Sequence, residues 1–213
     1  MVDEVSKLDL PQNVIDLLVN EWDITRLHPP QAEALPVALS GENLLLAIPT
    51  ASGKSLVAYL AIIQRILVDK PGSRAFYLVP LKALASEKVD ELREAGEYLG
   101  FTVGIAVGDR AGETVSLDQA DVIVATSEKF DSLMRNRDGF LNQVSIVVAD
   151  EVHLIHDQSR GPTMEVNLAR VKHERPDAQI LALSATVGNA DEIANWLNAK
   201  KIQSDWRPVV LRY

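Results

Sequence analysis

The sequence predicts an α/β fold, a mainly parallel and doubly wound sheet with helices on both faces. Three observations point there. Short unbroken apolar runs recur along the chain, such as Ala75-Phe76-Tyr77-Leu78-Val79 and Val144-Ser145-Ile146-Val147-Val148-Ala149, as expected of strands buried on both faces. They are separated by helical patterns that can serve as crossovers. Polar residues then collect just after the apolar runs, at the edge where an open parallel sheet forms its ligand crevice.

Taken in order, residues 11–19 predict a short helix with Pro11 at its first turn and Asn20 near its end. Residues 22–30 form a loop stiffened by Pro29-Pro30, and a helix follows over 30–39, ended by Ser40-Gly41. Residues 43–48 are the first strand, and a helix runs to about residue 68. Lys70-Pro71-Gly72-Ser73 is a turn. Strands are predicted over 75–79, 102–107, 121–125, 144–149 and 179–183. Helices are predicted over 81–99, 127–135, 161–174 and 189–198. No repeat or low-complexity segment interrupts this pattern.

With 213 residues and 47% hydrophobic content, the chain can bury a full core in one domain. No apolar run is long enough to cross a membrane, and Met1-Val2-Asp3-Glu4 lacks a signal core. The absence of cysteine excludes disulfides and thiolate metal sites and fits a cytoplasmic location. A formal net charge of −9 argues against a protein that coats nucleic acid nonspecifically. A local basic groove remains open, because the field in a cleft depends on nearby charges.

Two stretches carry chemistry. Pro49-Thr50-Ala51-Ser52-Gly53-Lys54-Ser55 lies where the first strand becomes a helix. Small residues there let backbone N–H groups turn around phosphate oxygens, and the helix N-terminus adds partial positive charge. Lys54 would meet the β- and γ-phosphates, and the Ser55 hydroxyl would ligate Mg²⁺. Ile48 stands where the strict phosphate-loop pattern has its first glycine. Asp150-Glu151 ends the most apolar strand, where an aspartate can hold Mg²⁺ and a glutamate can orient a water. An acidic helix start is the plainer reading of that pair. Gln31 read alone fits a helix surface, Lys82, Lys88 and Lys129 fit solvated lysines, and Gly108-Asp109-Arg110 fits a turn. His153 and His156 lack a third metal ligand. Arg135, Arg137, Lys172 and Arg175 read as surface charge, and Trp22, Trp196 and Trp206 as packing residues.

Asp150-Glu151-Val152-His153 resembles the D-E-x-H box of superfamily-two helicases, and residues 49–55 resemble their phosphate loop. Ser184-Ala185-Thr186 matches their S-A-T motif, and Leu27-His28-Pro29-Pro30-Gln31 resembles their adenine-recognising glutamine motif. Residues 79–88 and Thr126-Ser127-Glu128-Lys129 are similar to motifs Ia and Ib. The finer similarity, carried by residues 29–34, 183–190, 196–199 and 205–209, is to the superkiller-like branch and its archaeal Hjm-type DNA-repair helicases.

This resemblance implies a RecA-like P-loop NTPase domain. ATP would be held by Gln31 at the adenine and by Thr50, Ala51, Ser52, Gly53, Lys54 and Ser55 at the phosphates. Lys54, Asp150 and Glu151 would be catalytic, with Mg²⁺ on Ser55 and Asp150. Lys82, Ala83, Gly108, Asp109, Thr126 and Lys129 would line a track for single-stranded or forked DNA, touching phosphate and sugar without reading sequence. His153, Ser184 and Thr186 would couple nucleotide state to movement. The implied organisation is a helical lead-in over 1–28, a first RecA-like domain over 29–205, and the start of a linker over 206–213. That linker would lead to a second RecA-like domain and accessory domains. The later motifs are absent from these residues, so the chain alone is expected to bind ATP weakly and not to unwind. The implied activity of the whole is ATP-dependent 3′–5′ DNA unwinding in replication-fork repair and recombination. An RNA helicase of the same branch and a non-helicase P-loop protein are the alternatives; the guanine motif N-K-x-D of a GTPase is absent.

Overall fold

The computed structural model describes residues 3–49, 52–108, 117–136, 139–158 and 161–208, with the backbone alone for 110–111. The sequence-predicted site residues Thr50, Ala51 and Asp109 lie outside this set. The first helix, α1 (Gln12–Asp16), continues through a wider helical turn over Leu17–Glu21, and α2 (Pro29–Ser40) follows the loop after it. The sheet strands are β1 (Leu44–Ala47), β2 (Arg74–Val79), β3 (Val103–Val107), β4 (Arg110–Ala111), β5 (Val122–Thr126), β6 (Val144–Ala149), β7 (Gln179–Ser184) and β8 (Lys200–Gln203). Between them run α3 (Lys54–Ile63), α4 (Lys82–Leu99), α5 (Ser127–Asn136), α6 (Gly161–Glu174) and α7 (Ala190–Leu197).

The strands form one sheet in the order β4-β3-β5-β2-β6-β7-β1-β8. Every pairing is parallel except the short β3–β4 contact. Because successive side chains leave a strand on opposite faces, each strand supplies both cores. Ala75, Tyr77 and Val79 of β2 join one apolar cluster with residues of α2, α3 and α4. Phe76 and Leu78 join the other with residues of α5, α6 and α7. Phe76 packs edge-on against Phe130 at 4.7 Å and Phe140 at 5.6 Å. The doubly wound expectation therefore holds residue by residue.

Four local features depart from the sequence reading. β8, Lys200-Lys201-Ile202-Gln203, was not expected; only Ile202 is buried, as befits an edge strand that carries charge against further pairing. Arg175 is no simple surface charge: it donates to the Leu141 carbonyl and pairs with Asp177. Lys172 likewise donates to the Trp196 carbonyl and lies over that indole ring. Residues ahead of α2 also enter the main core, since Val5, Val14, Leu17, Leu18 and Leu27 are all buried in it.

Candidate nucleotide site and nucleic-acid groove

β1 and β6 lie one strand apart, with β7 between them. Their parallel directions bring the ends of all three to one edge of the sheet, so residues far apart in sequence meet there. Gly53 takes a left-handed conformation (φ +77°) as the cap of α3, a geometry in which L side chains are strained. Space forbids a side chain as well, because a Cβ on Gly53 would stand 2.1 Å from Gln31 Nε2. Lys54 opens α3 with its side chain 8% exposed, and its ammonium donates to Ser184 O at 3.2 Å and Ile48 O at 3.4 Å. Glu151 Oε1 lies 3.9 Å from the same nitrogen. The lysine thus stands at the ends of β1, β7 and β6 together.

Asp150 is buried, and each of its carboxylate oxygens accepts one bond. Oδ1 takes the Glu151 N–H at 2.9 Å and Oδ2 takes the Tyr77 O–H at 3.0 Å. Burial first, and then the Glu151 charge, raise its pKa above the usual aspartate value; Tyr77, the Glu151 amide and Lys54 oppose the rise. Glu151 itself has a left-handed backbone (φ +52°), unusual for a residue with a side chain and a mark of local strain at a site. Its Oε2 lies 3.3 Å from His153 Nδ1, and Ala185 N–H approaches the same ring nitrogen at 3.4 Å. Nδ1 can serve only one of them at a time: it accepts from Ala185 when bare and donates to Glu151 when protonated. Ser184 is fully buried, with its carbonyl on Lys54 and its hydroxyl lacking a hydrogen-bond partner among the described residues. Thr186 is exposed two residues on.

Gln31 stands at the third position of α2. Its Oε1 accepts the His28 N–H at 2.7 Å, the reciprocal half of a capping box, and its Nε2 donates to Gly53 O at 3.0 Å. One side-chain amide therefore ties the start of α2 to the phosphate-loop backbone. It is buried at 4% exposure, so the plain helix-surface reading does not hold. Ser52, also buried, donates to the Trp206 carbonyl at 3.2 Å, and the Trp206 ring packs against His28 at 4.5 Å. Trp206 is a packing residue here.

The donor set fits a nucleotide with a hard cation. An ammonium, a helix N-terminus and a glycine turn come together at Gly53-Lys54, and the Asp150 carboxylate, with lone pairs beyond those taken by Tyr77 and Glu151, and the Ser55 hydroxyl are of the hard oxygen type that Mg²⁺ takes. His153 and His156 have separate partners, since His153 faces Glu151 and His156 meets Asn189.

A second cluster lies further along the same edge. Pro80, Leu81, Lys82, Gly108, Thr126, Glu128, Lys129 and Ser132 line an open groove of about 430 Å³. Lys82 begins α4 and passes close over Gly108, where a Cβ would stand 2.5 Å from Lys82 Nζ; Gly108 also has positive φ (+55°). Thr126 ends β5, and its hydroxyl accepts the Lys129 N–H at 3.4 Å in the first turn of α5. Ala83 is exposed beside Lys82 but does not line the groove. Lys88, on the same helix, is buried and paired with Glu87 (2.9 Å) and Glu91 (3.2 Å), which corrects its reading as a solvated lysine.

Sequence reasoning missed Tyr77 and Tyr59 as members of the nucleotide-side network. Both sat inside stretches read as ordinary core. The available signal was a tyrosine within an apolar strand (Tyr77) or an apolar helix (Tyr59), whose hydroxyl must find a partner once buried.

Comparison with known proteins places the chain in a family. The DEAD/DEAH box helicase family profile matches residues 28–193. The chain is 49% identical over 214 residues to ATP-dependent DNA helicase Hel308 of Methanocella arvoryzae, covering 98% of this chain and 28% of that protein. It is 48% identical to the protein of the same name from Pyrococcus horikoshii, again covering 98% of this chain and 28% of that one. The Thermococcus kodakarensis protein of that name is 52% identical over 93% of this chain and 17% of its own length. The chain thus spans between about a sixth and little more than a quarter of the length of these relatives. Among solved structures, the DUF1998 helicase MrfA bound to DNA superposes with a TM-score of 0.74 at 21% identity, over 92% of this chain and 29% of that one, a likeness of fold. Among the described residues no helix is long and apolar enough to cross a membrane. The chain belongs to the DEAD/DEAH box helicase family.

Proposed function

We propose that these residues form the first ATP-binding motor domain of an ATP-dependent DNA helicase. The observation that carries the reading is the meeting of Lys54, Asp150 and Glu151 at the ends of β1 and β6, with the Ser184 carbonyl from β7 between them. Relatives named as ATP-dependent DNA helicases at 48–52% identity support the choice of DNA over RNA. In this reading Lys54, with Thr50, Ala51, Ser52 and Gly53, binds the ATP phosphates. Ser55 and Asp150 hold Mg²⁺, which would neutralise charge on the phosphates. Glu151 orients the attacking water. His153, Ser184 and Thr186 couple this site to motion.

Gln31 reads the base. Its amide can make four hydrogen bonds, and the protein uses one lone pair and one N–H. What remains is one acceptor and one donor, the complement of an adenine edge that offers N6–H and N7. Guanine presents two acceptors, O6 and N7, on the same edge, and would leave the Gln31 oxygen facing another oxygen.

Lys82, Ala83, Gly108, Asp109, Thr126 and Lys129 carry single-stranded or forked DNA by its backbone. Residues 1–28 act as the lead-in, 29–205 as the motor domain and 206–213 as the start of a linker. In the whole protein a second RecA-like domain would complete the ATP site, and unwinding would run 3′ to 5′ at damaged or recombining forks. An arginine finger from such a domain contributes about 10³–10⁵ in rate, so the chain alone should bind ATP weakly, turn it over very slowly and not unwind.

The test is competition of ATP against GTP for the chain with Mg²⁺, repeated on Gln31→Ala. A preference for ATP that disappears in the variant supports the reading. Equal binding of the two nucleotides by the unmodified chain would reduce the site to a phosphate binder without base selection.

A further inference from the structure

Tyr77 lies in the middle of β2, wholly buried, on the face covered by α2, α3 and α4. Its hydroxyl donates to Asp150 Oδ2, while the Glu151 amide donates to Oδ1. The two donors meet different oxygens of one carboxylate, so together they fix its rotation about the Cβ–Cγ bond. A carboxylate has about four lone-pair directions; those not taken by Tyr77 and Glu151 are left for a cation and its waters. Beside Tyr77, Tyr59 of α3 packs at 5.8 Å between ring centroids and donates its own O–H to Glu91 of α4. The Asp150 carboxylate is therefore braced by a tyrosine hydroxyl that lies buried away from solvent.

We propose that Tyr77 is a positioning residue of the magnesium site: its hydroxyl holds Asp150 in the rotamer that shares the cation with Ser55. The inference rests on the reading of Asp150 and Ser55 as Mg²⁺ ligands. It concerns a group that never touches nucleotide or metal and acts only through the carboxylate. Phenylalanine fills nearly the same volume, so Tyr77→Phe removes the donor and leaves the strand packing in place.

The experiment follows fluorescence of an N-methylanthraniloyl ATP analogue bound to the 213-residue chain, with Mg²⁺ titrated at fixed nucleotide. In Tyr77→Phe the Mg²⁺ concentration at half-maximal signal should rise about 3- to 10-fold, the effect of losing one hydrogen bond. Nucleotide affinity measured in EDTA should stay the same, a split that general loosening of the fold would not give. Circular dichroism confirms that the variant is folded. An unchanged or lowered Mg²⁺ midpoint in a folded Tyr77→Phe overturns the inference. Asp150→Asn in the same assay separates the two layers of argument: it should abolish the Mg²⁺ dependence. If the dependence survives Asp150→Asn, the ligand reading fails and this inference with it. If only Tyr77→Phe is silent, this inference alone fails.

Discussion

The nucleotide-side cluster and the groove beside it occupy the same edge of one sheet and are built on opposite principles. Gln31, Lys54 and Asp150 are 4%, 8% and 6% exposed, and every one is tied to backbone or to another buried side chain. Lys82 is exposed, Lys129 is half-buried, and an acidic residue, Glu128, shares their groove. A group that must meet one phosphate at one place gains from being desolvated and braced, because its field then acts without reorganisation. Groups over which a strand has to slide gain from being hydrated and individually weak, because many equivalent phosphate contacts then give affinity without a fixed register. The difference teaches that burial, more than residue type, separates Lys54, proposed here for the phosphates, from Lys82 and Lys129, proposed here for the strand.

The largest expected effect breaks the buried cluster. Lys54→Ala should weaken binding of the fluorescent ATP analogue about 10- to 150-fold, the range for losing a hydrogen bond between charged groups worth about 1.5–3 kcal/mol. DNA binding should be untouched. Equilibrium titration of both ligands checks this, and nucleotide affinity within a factor of two of the unmodified chain would remove Lys54 from the site.

A smaller effect is expected in the groove. Lys82→Ala and Lys129→Ala should each weaken single-stranded DNA a few-fold and flatten the slope of log K against log salt by about 0.7, the value for one phosphate contact on a single strand. Nucleotide binding should stay within error. Fluorescence anisotropy with a labelled oligonucleotide over a salt series measures it. An unaltered slope in both variants would leave the groove without a phosphate role.

How far these regions could be read from sequence follows the same division. The strands were legible because parallel strands buried on both faces appear as unbroken apolar runs. β8 was not, because an edge strand with one buried residue, Ile202, looks like a charged loop. That Lys54, Asp150 and Glu151 gather at one sheet edge was legible because each follows the end of an apolar strand. The braces were not: Tyr77 meets Asp150 across 73 residues and Gln31 meets Gly53 across 22, and no local pattern records such pairings. Arg175 was misread for the same reason, its partner Leu141 lying 34 residues away.

The opposite edge of the sheet supplies the control and the smallest expected effect. Asp177 precedes β7 and Lys70 precedes β2, so their ion pair (3.0 Å), joined by Arg175 (3.0 Å), sits at the N-terminal ends of strands, away from both clusters. The Arg175 guanidinium, then the Lys70 ammonium, hold the Asp177 carboxyl well below the usual carboxylate range. A depressed folded pKa contributes stability that is present above the unfolded value of about 3.9 and is lost as pH falls through the folded one. Asp177 is more than half exposed, so solvent screens the pair and limits its worth to about 1 kcal/mol or less. Asp177→Asn should therefore lower thermal stability by no more than that at pH 7. The gap to the unmodified chain should begin to close only near pH 4 and narrow further in stronger acid. Neither nucleotide nor DNA affinity should change at pH 7. Melts across pH 3–7 test the sign: a stability gap that widens on acidification would mean that Asp177 is destabilised by its surroundings rather than held by Arg175 and Lys70.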